Sequence, residues 1–81
     1  MTRHELTSDG GFEVVVGWDR PLNTFFAQVF DVHKPEDDAE VLWIGVSLRE
    51  IHDPQQVIDA VRPYAQIPAD LEFRLYQEAH A

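Results

Sequence analysis

The side chains with chemical potential in this sequence are His4, His33, His52 and His80, Ser8 and Ser47, and the carboxylate-rich run "PEDDAE" at residues 35–40. A metal site needs donors spaced so that they converge. The histidines show neither a His-x-x-x-His nor a His-Glu-x-x-His spacing. Glu36, Asp37, Asp38 and Glu40 lack the alternation and the glycine of a calcium-binding loop, and read as a solvated hairpin tip. Neither serine sits in a Gly-x-Ser-x-Gly elbow or beside a His/Asp pair that could activate it. Gly10-Gly11 precedes a strand-like stretch rather than a helix, so it is a joint or turn and not a phosphate cradle. Asp19 and Asp31 flank one strand-like stretch, with Arg20 beside the first. That pattern reads as an Asp-Arg pair bracing a hairpin before it reads as a general acid and base. No catalytic residue, metal or cofactor is expected, and the chain reads as a non-enzyme.

The elements that would position these groups follow from periodicity. "FEVVVGWD" (12–19) sets Phe12, Val14, Val16 and Trp18 against Glu13, Val15, Gly17 and Asp19, the period of two of a strand. "DRPLN" interrupts with Pro21 and two residues, Asp19 and Asn23, that bond readily to nearby backbone. "TFFAQVFDV" (24–32) resumes as a second strand, "HKPEDDAE" breaks the pattern, and "VLWIGVSL" (41–48) makes a third. Short connections between consecutive strands imply an antiparallel meander.

Asp53 as N-cap, Pro54 at the first helical position and Gln56 at the capping-box position then announce a helix. Val57, Ile58, Val61, Tyr64 and Ala65 share one of its faces, and Pro63 ends or kinks it. Residues 68–81 open with Pro68 and Asp70 and are rich in helix formers. Leu71, Phe73 and Leu75 alternate with Glu72, Arg74 and Tyr76, so a fourth strand is the alternative. The expected fold is α+β: a three-stranded antiparallel meander followed by one or two helices packed on one face. Residues 1–11 read as a flexible lead-in to a single domain over 12–81.

Eighty-one residues suffice for one core. With no cysteine, disulfides, thiolate catalysis and cysteine-based zinc sites are excluded. A small chain without such staples gains core area by association, so a homodimer is expected. No apolar run approaches membrane-spanning length and no signal peptide is evident, which points to the cytoplasm. Lys34 is the single lysine beside five arginines, as in a GC-rich bacterial gene. The net charge is −9, and residues 31–60 hold most of the excess: Asp31, Glu36, Asp37, Asp38, Glu40, Glu50, Asp53 and Asp59 against Lys34 and Arg49. Direct nucleic-acid binding needs a clustered basic patch, which is missing.

The expected sheet carries one apolar face too many. With strands in register, Val15, Phe26, Phe30, Val41 and Trp43 fall on the face opposite the alternation just described. Three aromatics at roughly 150–250 Å² each amount to about 450–750 Å², against about 300–600 Å² for the largest apolar patch of a typical monomer. Either the C-terminal segment covers this face or another chain does. Two functions are therefore expected. The first is a small acidic adaptor or regulator that binds a protein partner, or a second copy of itself, through Phe26, Phe30, Trp43, Val41 and Val15. The alternative is an inhibitor whose acidic surface, built on Asp31, Glu36, Asp37, Asp38 and Glu40 and extended by Glu50, Asp53 and Asp59, imitates nucleic acid in front of a basic target, in the manner of anti-restriction or anti-CRISPR proteins. Neither implies a membrane or a small-molecule substrate.

Overall fold

In the computed structural model, which describes every residue except Met1, Asp9, Glu36 and Asp37, the chain forms four strands and then two helices. These are β1 (His4–Leu6), β2 (Phe12–Asp19), β3 (Thr24–Asp31), β4 (Glu40–Ile44), α1 (Pro54–Val61) and α2 (Leu71–Ala79). The strands pair antiparallel in sequence order, β1-β2-β3-β4. The protein is thus a small α+β fold with four strands where the meander was expected to have three.

The additional strand lies in the N-terminal segment read as a flexible lead-in. Residues 68–81 supply the second helix that was the leading expectation, and not the alternative strand. The N-terminal strand is held in place by pairing and by side chains that reach that helix. His4 pairs with Val16 and Leu6 with Val14, and the proton on His4 Nε2 is donated to the Glu78 carboxylate of α2, at 2.9 and 2.8 Å from its two oxygens. Thr2 Oγ1 donates to the same carboxylate at 2.8 Å and accepts from Trp18 N at 3.0 Å. Three polar side chains that look unremarkable in sequence thereby tie β1 to α2 across more than seventy residues.

Residues 71–79 are helical because Leu71 and Leu75, spaced one turn apart, find the core, with Ala79 packed against it a further turn on; both leucines are fully buried, while Phe73 is exposed. Asp70 makes no side-chain cap and instead pairs with Arg74 at 2.8 Å. In α1 the expected signals operate: the Asp53 carboxylate accepts from Gln55 N at 2.9 Å, and Pro54 occupies the first turn. The helix stops at Val61, before Pro63.

β2 and β3 match along their whole length, from Phe12↔Asp31 to Asp19↔Thr24. Their connection is a turn closed by Asn23 N donating to Arg20 O at 3.1 Å, with Asn23 at φ 52, a conformation Asn tolerates better than most residues. Val14, Val16, Trp18, Phe25, Ala27 and Val29 form the inner face and meet Val57, Ile58, Val61, Leu71 and Leu75 from the helices. Trp18 and Phe25, opposite each other across the strands, pack edge to face at 4.8 Å.

β4 ends at Ile44, short of the expected Leu48. Gly45 turns the chain with φ +77, a conformation that a side chain would strain, and a Cβ there would fall 1.9 Å from Phe25 O. Residues 46–50 loop outwards, and the chain rejoins the sheet at Ile51, whose carbonyl accepts from Phe25 N at 3.0 Å. Thr24 fixes this return. It is fully buried, its Oγ1 accepts from Ile51 N at 2.8 Å, and its hydroxyl donates to Phe25 O at 2.9 Å. In Thr24→Val the shape is kept but the buried Ile51 N–H loses its acceptor. Stability measured by urea unfolding should fall by about 1–3 kcal/mol, and Thr24→Ser should lose less.

Candidate functional site: the outer sheet face and its β4 edge

Both helices pack on the inner face, α1 chiefly over β3 and α2 over β2. The register places Glu13, Val15 and Gly17 of β2 and Phe26, Gln28 and Phe30 of β3 on the outer face, with Trp43 opposite Gln28. The C-terminal segment therefore does not cross this face, and the expected alignment of Val15, Phe26, Phe30 and Trp43 is what pairing produces. Val41 is the exception: the register slips between Val29 and Phe30, so Leu42 pairs with Val29, Glu40 with Phe30, and Val41 is the extra residue of a bulge.

Sharing a face has not left these side chains equally bare. Phe26 is only 4% exposed and Val15 only 6%, whereas Trp43 is 52% exposed and Val41 39%. Phe26 is covered because its cross-strand partner is Gly17. Its ring settles where a side chain would stand: a Cβ on Gly17 would lie 2.8 Å from Phe26 Cε1 and 2.0 Å from Thr2 O. An aromatic thus fills the gap left by a strand glycine. Val15 lies between Glu5 and Gln28, its neighbours on the adjoining strands, whose aliphatic stems can shield it. Phe30 is half-buried. The broad aromatic face expected from sequence contracts to a strip at the β4 edge.

Sequence reasoning missed Val46 as a contributor to that strip. Val46 and Leu48, expected inside a strand, stand on the loop after β4 at 49% and 64% exposure. A shallow depression of about 190 Å³ beside Val46 is lined by Phe26, Leu22, Trp43 and Arg3 among others. A second exposed aromatic pair, Phe73 and Tyr76, borders a larger hollow of about 550 Å³ with His52, Asp53 and Glu72. The spacing of Phe73 and Tyr76, on the side of α2 away from Leu71 and Leu75, was the available signal. Among the described residues, the side chains of His52 and Glu72 have no hydrogen-bond or ion-pair partner to hold a reactive geometry. Among the described residues, no group of three or more histidines and carboxylates could hold a metal ion.

The described acidic residues lie on several elements. Asp31, Asp38 and Glu40 lie at the β3–β4 hairpin, while Glu36 and Asp37 fall outside the described residues. Several carboxylates serve local structure: Asp31 accepts from the His33 backbone N at 2.9 Å, Asp53 caps α1, and Asp59 accepts from the Gln55 side-chain Nε2 at 2.7 Å. Glu50 does most, accepting from Gly45 N at 3.0 Å and from Val46 N and Ser47 N at 3.1 Å each. The Gly45 amide, followed by those of Ser47 and Val46, holds its carboxyl below the ordinary glutamate range. Asp19 and Asp31 stand at opposite ends of the β2–β3 ladder and cannot act as a pair. The expected Asp19–Arg20 brace is replaced by Asp19 accepting from Leu22 N, while Arg20 donates to Ala81 O. No helix among the described residues is long and apolar enough to cross a membrane. Comparison with protein-family models, with curated proteins and with solved structures finds no match.

Two outcomes follow from the division between covered and bare aromatics. Phe26→Ala should lower unfolding stability by about 3 kcal/mol or more, and Trp43→Ala by about 1 kcal/mol or less, both read from denaturant curves. For Glu50, a carboxyl whose folded value is depressed stabilises the fold above the ordinary range and loses that contribution as pH falls through the folded value. Glu50→Gln should therefore be less stable than the native chain at neutral pH. The gap should narrow in acid, measured by urea unfolding at each pH.

Proposed function

We propose that this chain is a small acidic protein-interaction module, an adaptor or regulator without catalytic activity, that engages its partner through the outer sheet face around Trp43. The observation that carries the reading is the one-sided placement of the helices. The inner face is closed by α1 and α2, while the outer face ends in a half-exposed tryptophan with Val46 beside it. Partly exposed tryptophans beside a shallow apolar depression are typical anchors of binding hot spots, because one ring buries a large area with few rotamers to fix. A second copy of the chain, making the expected homodimer, is one partner such a surface could take.

The acidic-mimic reading is weaker, since it needs carboxylates gathered over one continuous surface. Glu50, Asp53 and Asp59 belong instead to the loop after β4 and to α1, where each holds local structure.

The test is affinity capture with the native chain and Trp43→Asp side by side, at low and high salt, with circular dichroism to show that both are folded. The native chain should retain a partner that the variant binds at least about tenfold more weakly, and sedimentation of the purified chain shows whether that partner is itself. Equal capture by both proteins would sink the reading. Binding that vanishes with salt in both would favour recognition through charge instead.

A further inference from the structure

We propose that the free edge of β4 is a strand-addition site for an extended partner segment that alternates apolar and basic residues, an inference that rests on the interaction-module reading above. The backbone makes the first part of the case. Phe25 N donates to Ile51 O at 3.0 Å and Asp31 N to Ala39 O at 2.7 Å, whereas Val32 N donates the other way, to Gly11 O at 3.0 Å. Odd-numbered residues of β3 therefore turn their N–H groups toward β4. Ala27 and Val29 lie opposite Ile44 and Leu42, so the alternation of an antiparallel ladder commits the polar backbone groups of Ile44 and Leu42 to β3. Trp43, between them, points its N–H and C=O off the sheet.

The two edges of the sheet are finished differently. At the other edge β1 is only three residues long. His4 is held by Glu78, and beyond it the Thr7 carbonyl accepts from Gln66 N at 2.8 Å. That edge is short and partly covered, as edges of monomeric sheets usually are. Residues 41–44 carry no lysine, no proline and no charge. The bulge lies at the Glu40 end and leaves Leu42–Ile44 in regular pairing. Leu42 and Ile44 are half-buried on the inner face and Trp43 half-exposed on the outer, so the edge is unfinished on both sides. An added strand would cover all three and meet the Trp43 backbone groups.

Charge selects the occupant. Asp31, Asp38 and Glu40 lie at one end of the edge and Glu50 near the other, with Asp19 lining the depression beside Trp43, against Lys34, Arg49 and the Arg3 of that depression, in a chain of net charge −9. A second copy would bring an equal negative charge to the same edge. A segment carrying lysine or arginine on alternate positions would meet opposite charge while its apolar residues lie along Trp43.

The experiment is a titration of the isotopically labelled chain, followed by NMR, with three short peptides: alternating lysine and valine; the same peptide N-methylated on alternate amides; and alternating glutamate and valine. The lysine peptide should shift the amides of residues 41–44 and slow solvent exchange of the Trp43 N–H. The other two should bind at least about tenfold more weakly, one lacking hydrogen bonds and the other repelled. Equal binding of the N-methylated peptide, shifts located on α2, or no binding of the lysine peptide would each overturn the inference. Protection of Trp43 N–H that grows with protein concentration alone would do so as well, by assigning the edge to a second copy. None of these results touches the Trp43-dependence of partner capture, so strand addition can fail while the interaction-module reading stands.

Discussion

The architecture hinges on the stitch between Thr24 and Ile51. A meander that has reached its fourth strand must leave the sheet and cross one face for the helices to bury anything. Here the chain leaves at Gly45, loops out, and is caught again by Phe25 N and the Thr24 hydroxyl within hydrogen-bonding distance of Ile51. From that point only Asp53 and Pro54 are needed to start α1 directly over β3. Because the catch involves a fully buried threonine and backbone groups in a dry environment, each bond counts for more than it would at the surface. Glu50 supports the same return from outside, collecting three loop amides that would otherwise face solvent or lack partners.

One consequence is that both faces of the sheet cannot be covered. Two helices of eight and nine residues suffice for one side of a four-stranded sheet, and both lie on that side. The other face is finished by local means. Gly17 admits the Phe26 ring, and Glu5 and Gln28 flank Val15. These devices work only where a strand has neighbours on both sides. β4 has one neighbour, so Trp43 has no further strand to lean on. The apolar area that distinguishes this surface is a property of the edge rather than of the face.

Much of the fold was legible in the sequence. The alternation in residues 12–19 is so regular that β2 follows it to the residue, and β3 stops one residue short of the expected 24–32. Asp53-Pro54 marked the start of α1, and Pro63 its end. Such signals are local: caps, proline and period-two patterning act over a few residues whatever the rest of the chain does. β1 escaped notice because its three residues carry too little pattern to register, and its partner, Glu78, lies at the far end of the chain. Residues 68–81 were ambiguous because helix and strand periods overlap in "LEFRLY"; which side chains are buried depends on α2 lying against the sheet.

The candidate site divides along the same line. The sequence by itself determined which residues share the outer face, except for Val41 at the bulge, since strand alternation and short connections leave little freedom in pairing, and it determined the excess of negative charge. Only the tertiary structure decided which of those residues remain available. Phe26 and Val15 disappear because of what stands across the ladder from them, and Trp43 stays bare because β4 is last in the sheet order. Exposure is a sum over neighbours brought together from distant parts of the chain, and a pattern read along one strand does not contain it.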